Sequence, residues 1–468
     1  MALTPSEIEL IEELKRRHDV RYFMDETYYR YYRLRQRIEH LGMAIPPSMR
    51  RFLVVANWPR VVVRTITGRQ KVRAMILPGE ETADETLRAI WDANNLTAQT
   101  RMFRVDKYVS GRAFLSVGTR EDNPDLPLIR VESPREMEAM VDTRLEQITA
   151  AARFYGTDKL GQGPTNVTLY LPEQTIWVAK GLDGRWYEVD RDRHGLGVVP
   201  VFMDLNNRLS DEFEGESELT DIIMLTDAVA RSLTNLQFAQ EAHGVPSIGA
   251  TGVASGDFRM ENGEPVPMFE AYFDAIKMLT DPQAKWTQFS AADLKNFETA
   301  MRVYGTQAAV SYGFPARYFG LTTSNPPTEG QTRADENDLV NYVGDKNESE
   351  GMVLGWVGAL AYQFATGVEV EGNRVRIDHF DPATPSLAQR EDALQKRRGT
   401  GALSREGYWD ELGWSEARKA KEREYLRQEA LEAAQADREA AQMDPYMIRL
   451  DAKDEAGRGG AGAPSDGS

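Results

Sequence analysis

GESELTDIIMLTDAVARSLTNLQFAQEAHGVP, residues 215–246, is the most regular stretch of the chain. Ser217 stands where an N-cap accepts an exposed backbone N–H, and acids follow in the first turn, at the positive end of the helix dipole. Leu219, Ile222, Ile223, Val229, Leu233 and Leu236 then recur mostly three and four apart, until Gly244-Val-Pro246 stops the pattern. About 26 helical residues make a rod roughly 40 Å long. Working outward, residues 246–289 are rich in glycine and turn residues, and a second helix is expected from Ala291 to about Tyr312. Two long helices thus bracket a small insert.

Toward the C-terminus, Gly313-Phe-Pro315 breaks the second helix, and Leu321-Thr-Thr-Ser-Asn-Pro-Pro-Thr-Glu-Gly330 is a loop with Glu329 as its charge. Residues 331–366 read as helical, but Gly344, Gly351, Gly355 and Gly358 fall inside the pattern. Each glycine costs about 1 kcal/mol against alanine, so the four predict a kink, close packing or two segments. A hairpin is expected next, Val368–Val370 with Val375–Ile377 around Gly372-Asn373. Ser386-x-x-Gln389 reads as a capping box, Leu403–Leu412 as a short helix, and Trp414–Met443 as a helix whose Arg418–Glu422 and Glu424–Arg427 spacings describe a solvated face. From Asp454 to Ser468 apolar residues are too few to support order.

Toward the N-terminus the chain is mixed. Residues 4–41 read as one or two helices after a Thr4-Pro5 start, ended by Gly42 and Pro46-Pro47. The run Tyr28-Tyr29-Arg30-Tyr31-Tyr32 has two readings: stacking on nucleic acid, or packing against a neighbouring subunit. Helices are expected at 83–95 and 97–110, then a strand near 113–117. A meander follows, with strands at 144–155, 167–171, 175–180 and 185–190 and a tight turn at Asp183-Gly184. Antiparallel strands with flanking helices make the region α+β.

Composition narrows the chemistry. The 468 residues carry 73 acids against 56 bases, a formal net charge of −17, and no cysteine. So acidic a chain is a poor general ligand for phosphates, and disulfides, thiolate metal sites and cysteine nucleophiles are excluded. The five histidines, His18, His40, His194, His243 and His379, include no pair four apart, and there is no HExxH or G-x-S-x-G. Gly195-Leu-Gly197-Val-Val-Pro200 lacks the final glycine and the Lys-Ser/Thr of a phosphate loop and leads into a strand-like Val-Phe-Met. The N-terminus has no apolar signal-peptide core, and no apolar run nears the roughly 18–20 residues that span a bilayer. A soluble intracellular chain without cofactor or metal is the expectation.

An α+β body, a long helix, an insert, a returning helix, a polar loop, another long helix and a helical end form an unusual order. It resembles the portal proteins of tailed bacteriophages, most closely those of long-tailed phages infecting actinobacteria. The segments that carry the resemblance are Leu41-Gly-Met-Ala-Ile-Pro-Pro47, Ile90-Trp-Asp-Ala-Asn-Asn-Leu96, Thr168-Leu-Tyr-Leu-Pro172, Gly195–Pro200, Asn206-Asn-Arg208, Gly215–Leu219, Asp227-Ala228 and Leu233-Thr-Asn-Leu-Gln237. Each is weak singly; their order and spacing are specific.

The resemblance implies a ring of about twelve copies at one capsid vertex, through which double-stranded DNA is packaged, retained and ejected without sequence specificity. By segment, it implies a wing (1–215), stem helices (216–245 and 290–313), a clip (246–289), a tunnel loop (314–332), a long helix (333–366), a hairpin and helical crown (367–450) and a disordered tail (451–468). Thr323, Ser324, Asn325, Thr328, Gln331 and Arg333 become candidates for the DNA channel, and Arg259, Glu261, Asn262 and Glu264 for partner contacts at the clip. Implied partners are the terminase large subunit, the head–tail connector and the major capsid protein, in the virion and, during assembly, in the host cytoplasm. No enzymatic activity and no membrane are expected, and ring interfaces should bury roughly 2,000 Å² or more per pair. The rival readings are another virion component, such as a minor head or connector protein, and a carboxylate-dependent DNA-processing enzyme. The acids of the meander (Glu173, Asp183, Glu188, Asp190, Asp192) are spread over turns and strand ends, which fits a solvated surface better than a two-metal site.

Overall fold

The computed structural model describes residues 3–36, 54–120, 123, 126–157, 163–244, 248–251, 285–288, 295–321, 328–383 and 387–458. The chain divides into two units, residues 1–383 and 384–468.

The first unit opens with α1 (Pro5–Tyr32), whose Thr4 hydroxyl caps Glu7 while the Glu7 carboxylate accepts the Thr4 N–H. The helix ends at Tyr32, within the 4–41 expected to hold one or two helices; residues 37–41 lie outside the described residues. Leu34 takes the left-handed conformation (φ 57°), and the Arg35 N–H donates back to the Arg30 carbonyl at 2.8 Å. That closing geometry usually recruits glycine; here a leucine adopts it, so composition gave no warning. Gly42, Pro46 and Pro47 lie outside the described residues.

Then come α2 (Trp58–Thr67), β1 (Val72–Ile76), α3 (Glu85–Ala93) and α4 (Leu96–Ser110). Asp84 caps α3 by accepting the Leu87 N–H at 2.8 Å. Eight strands follow: β2 (Arg112–Gly118), β3 (Leu128–Glu132), β4 (Met137–Asp142), β5 (Gln147–Tyr155), β6 (Asn166–Tyr170), β7 (Thr175–Lys180), β8 (Trp186–Asp192) and β9 (Val201–Leu205). They form a three-stranded sheet in the order β3-β2-β9 and a five-stranded meander β4 to β8, antiparallel throughout. Gly184, at φ 82°, makes the turn read from Asp183-Gly184.

The decisive stretch forms α5 (Thr220–Gly244). The ladder of β10 (Ile248–Thr251) with β11 (Lys285–Gln288) follows, then α6 (Lys295–Tyr312), which packs along α5. A 3₁₀ turn (Ala316–Phe319) leads toward α7 (Glu329–Thr366). The long helix α7 is continuous, so the expected division into two segments does not occur. Two of its glycines serve close packing: a Cβ on Gly355 would lie 2.7 Å from the Gly372 carbonyl oxygen, and one on Gly358 would lie 3.1 Å from Met75 Cε.

The expected hairpin at 368–377 is also corrected. Residues 372–374 form a 3₁₀ turn, and β12 (Arg376–His379) pairs antiparallel with β1 instead, Ile76 opposite Arg376 and Val72 opposite His379. Backbone of 372–375 is pressed against Gly355 of α7, which leaves no room for a turn folding back on 368–370.

One core joins α3, α4, β2 and α7 through Leu87, Ile90, Phe103, Leu115, Leu354 and Val357. Another gathers Tyr29, Val62, Tyr108, Ile222, Ala308, Phe314 and Val343 from six helices and the turn after α6. The α1 residues Ile11 and Leu14 close the meander over Ala152, Leu169 and Val178. In the second unit, α8 (Leu387–Gly399), α9 (Arg405–Glu411) and α10 (Glu416–Arg458) are held around Leu394, Trp409 and the Trp409–Trp414 stack at 5.7 Å. The helical backbone of α10 runs past residue 451, where a tail was expected. Ser386 lies outside the described residues.

Candidate functional site

The loop between α6 and α7 is fixed at both ends. Gly313 (φ 61°) and Gly320 (φ 86°) turn the chain out of α6, and Phe314 and Phe319 are buried beneath it. On the far side Thr328 caps α7. Its hydroxyl accepts the Gln331 N–H, and Gln331 Oε1 accepts the Thr328 N–H at 3.1 Å. Glu336, one turn on, accepts hydrogen bonds from Arg317 and, at 3.0 Å, from the Tyr318 hydroxyl, and pairs with Arg69 at 3.0 Å. Arg69 also donates to Tyr318 at 3.0 Å and to the Pro382 carbonyl at 2.9 Å. Burial pushes the Glu336 carboxyl up, but the Arg69 hydrogen bond and charge outweigh it and hold the group below the usual carboxylate range.

Three of the six channel candidates lie among the described residues. Thr328 and Gln331 are exposed but engaged with each other as a capping box, so their first role is to start α7. Arg333 is exposed in the first turns of α7, free to face a phosphate. Thr323, Ser324 and Asn325 lie outside the described residues, as do Arg259, Glu261, Asn262 and Glu264.

Behind the loop stands a buried polar frame that the sequence reading missed. Asp204 on β9 accepts from Lys107 of α4 at 2.7 Å and from Ser349 of α7 at 3.0 Å. Lys346 of α7 pairs with Glu218 at 3.0 Å and donates to Asn206 Oδ1 at 2.6 Å. Glu218, at the mouth of α5, further accepts from Tyr342 at 2.6 Å and from Asn206 at 3.0 Å, while the Tyr312 hydroxyl at the end of α6 donates to its carbonyl. Arg104 of α4 grips Glu350 of α7 from Nε and Nη2, at 2.8 and 2.6 Å. Burial would push Glu350 up; His379 and Arg104 hold it at about 2 instead. In this frame the body, both paired helices and the long helix share one set of hydrogen bonds.

Glycine permits the junction. Gly111 follows α4 and Gly215 precedes α5, and a Cβ on Gly215 would fall 1.8 Å from the Gly111 carbonyl oxygen. Asn206 N–H donates to that oxygen at 2.8 Å. The signal was present in the sequence: Leu96, Thr100, Phe103 and Lys107 recur at four, three and four, which puts a lysine on the buried stripe of α4.

The tyrosine run packs, but within its own chain. Tyr29 donates to Asp106 of α4, Tyr31 to Asp227 of α5 at 2.8 Å, and Arg60 lies over the Tyr32 ring. In the meander, Glu188 is bound by Arg191 at 2.8 Å and Asp183 by the Tyr187 hydroxyl at 2.7 Å. Among the described residues no three His, Asp or Glu side chains are grouped to hold a metal ion, and no helix is long and apolar enough to cross a membrane.

Residues 11–443 match the family model described as phage portal protein, SPP1 Gp6-like. The chain belongs to the phage portal protein family. The portal protein of Mycobacterium phage L5 is 34% identical over 409 residues, covering 85% of this chain and 83% of the relative. That of Mycobacterium phage D29 is 33% identical over 412 residues, covering 86% and 84%. Among solved structures, the chain is similar to one in the neck of a native gene transfer agent particle computed with C12 symmetry, at 14% identity and TM-score 0.40, covering 80% of this chain and 94% of that one. A chain of the native gene transfer agent virion gives 15% identity and TM-score 0.42, covering 79% and 93%. The portal family is structural, and the α+β body with a helix pair, small insert and long helix is the fold of this member.

Proposed function

We propose that this portal chain closes into a ring of about twelve copies at one capsid vertex and serves as the conduit for packaging, retaining and ejecting double-stranded DNA. The observation that carries the reading is the helix pair α5–α6, joined by a short β ladder and delivered into a loop clamped at both ends. A conduit must let phosphates slide, so its lining should bind them weakly. The exposed face of the C-terminal half of α6 fits that need: Val303, Thr306, Gln307, Val310 and Ser311 carry no charge, in a chain whose net charge is −17. The uncharged residues 322–327 and exposed Arg333 supply modest, sequence-blind contacts.

In this reading the clip, 246–289, meets the terminase large subunit during packaging and the head–tail connector afterwards, while the body, 1–215, contacts the major capsid protein. The chain resides at the portal vertex of the virion, is assembled in the host cytoplasm, and catalyses no reaction and needs no cofactor. The test is genetic: a virus lacking this gene should assemble heads empty of DNA, restored by supplying the chain in trans. DNA-filled heads without it would overturn the reading.

A further inference from the structure

Helix α1 carries an exposed apolar patch, Val20, Phe23 and Met24, at spacings that share one face and with exposures of 72, 76 and 55%. Charged side chains stand at both ends. Toward the N-terminus Arg16 and Arg17 share Glu13, and Glu12 and Asp19 balance the remaining charge. Beyond Phe23, exposed Arg30, Arg33 and Arg35 stand against Glu26, which pairs with Arg30 at 3.3 Å, so the excess of positive charge lies at this end. A second exposed stripe runs along α7 through Asp338, Asn341, Asp345, Glu348, Met352 and Trp356, three or four apart. Its first part is acidic and carries no exposed cation. Its second part is apolar, with Met352 70% and Trp356 40% exposed, on a groove of about 340 Å³ that Gly351, Gly372, Ile377 and His379 help to line. His379 Nε2, on a side chain 9% exposed, lies 3.8 Å from the Glu350 carboxylate that it helps to hold.

The two surfaces complement each other in both character and spacing. Seven residues separate Phe23 from Arg16 and from Arg30, and seven separate Met352 from Asp345, roughly 10 Å in each case. Seating Phe23 against Met352 and Trp356 with the two helices antiparallel brings Arg30 to Asp345, whereas a parallel run would set Asp19 against Glu348. Apolar exposure of this extent on two separate faces is the mark of an interaction surface, and a pair of different, complementary faces generates a closed ring when repeated head to tail.

We propose that the α1 patch of one copy docks in the α7 groove of the next, so that this contact is a repeating joint of the ring. The proposal rests on the ring reading given above and names its surfaces. Because the chain has no cysteine, Phe23→Cys and Met352→Cys introduce the sole thiols, both at exposed positions. Assembled rings of the double variant, treated with a short bismaleimide, should give a ladder of covalent oligomers on a denaturing gel, while either single variant stays monomeric. Phe23→Asp should lower the ring fraction about tenfold at fixed protein concentration, with the thermal transition of the subunit unchanged. Intact rings without a ladder would overturn the joint and leave the ring reading standing, and so would a covalent dimer from Phe23→Cys by itself. Failure of the unaltered chain to form rings would overturn both.

Discussion

Lys107 and Asp204 have side chains 0 and 1% exposed and meet at 2.7 Å. Replacing Lys107 with methionine strands the carboxylate, and the expected loss is about 3–5 kcal/mol, read as a lower denaturation midpoint. Lys107→Met with Asp204→Leu should recover most of that loss, because the cost lies in the unpaired charge. Two other carboxyls give the molecule a pH dependence. Burial holds Asp25 up at about 6 against Arg112 and Arg21, with Glu138 adding to the rise, and holds Asp106 at about 6 against Tyr29, Arg135 and Arg33. A folded pKa above the unfolded one favours the protonated folded state. The stability is therefore complete below about pH 4 and lost as pH rises through about 6, by up to about 3 kcal/mol per group. Glu7, held at about 2 chiefly by its hydrogen bond from Arg191, acts in the opposite sense below that window. Amide exchange in α1, corrected for its intrinsic rate, should be slower at pH 5 than at pH 7.5, and Asp25→Asn should halve the difference. None of these groups was legible as buried from composition. Lys107 was legible from its place on the stripe of α4, whereas Asp25 shares a regularly spaced inner face with Glu7, Ile11, Leu14, His18 and Tyr29 in which polar residues are too many to stand out as a buried stripe.

At the scale of elements, α7 holds a paired test. Gly344 has open space where a Cβ would stand, so Gly344→Ala should raise the melting temperature by the helix-propensity gain of about 1 kcal/mol. Gly355→Ala on the same helix must push back the Gly372 carbonyl and should cost about 1–3 kcal/mol. Equal shifts from the two would mean that α7 does not pack on residues 372–375. Helical periods and turn residues marked α3 to α7 and the meander strands β5 to β8 to within a few positions, because local pattern fixes those elements, but β4 (Met137–Asp142) went unread. The pairing of β1 with β12 was illegible, since residues 72–76 and 376–379 are distant in sequence and a nearer valine-rich segment offered a plausible partner. At the start of α7 the sequence showed Thr328 and Gln331 as polar loop residues but not as a capping box, because a Thr-x-x-Gln spacing is read as a cap only once the helix start is known.

For the whole molecule, the exposed faces of α1, α6 and α7 matter more than its interior, because a single copy leaves them in water. In α10, every side chain from 427 to 438 is exposed, so that helix too lacks a covering layer from its own unit. A family of ring-building proteins accounts for such surfaces, and the net charge of −17 fits a wall that DNA passes rather than one it binds. The native mass of the purified full chain, measured by light scattering with images of the same sample, tests the central claim most directly. The account predicts a particle near twelve times 52.7 kDa, seen end-on as a closed ring with a central hole. A stable, compact monomer or dimer across the same concentrations would contradict it.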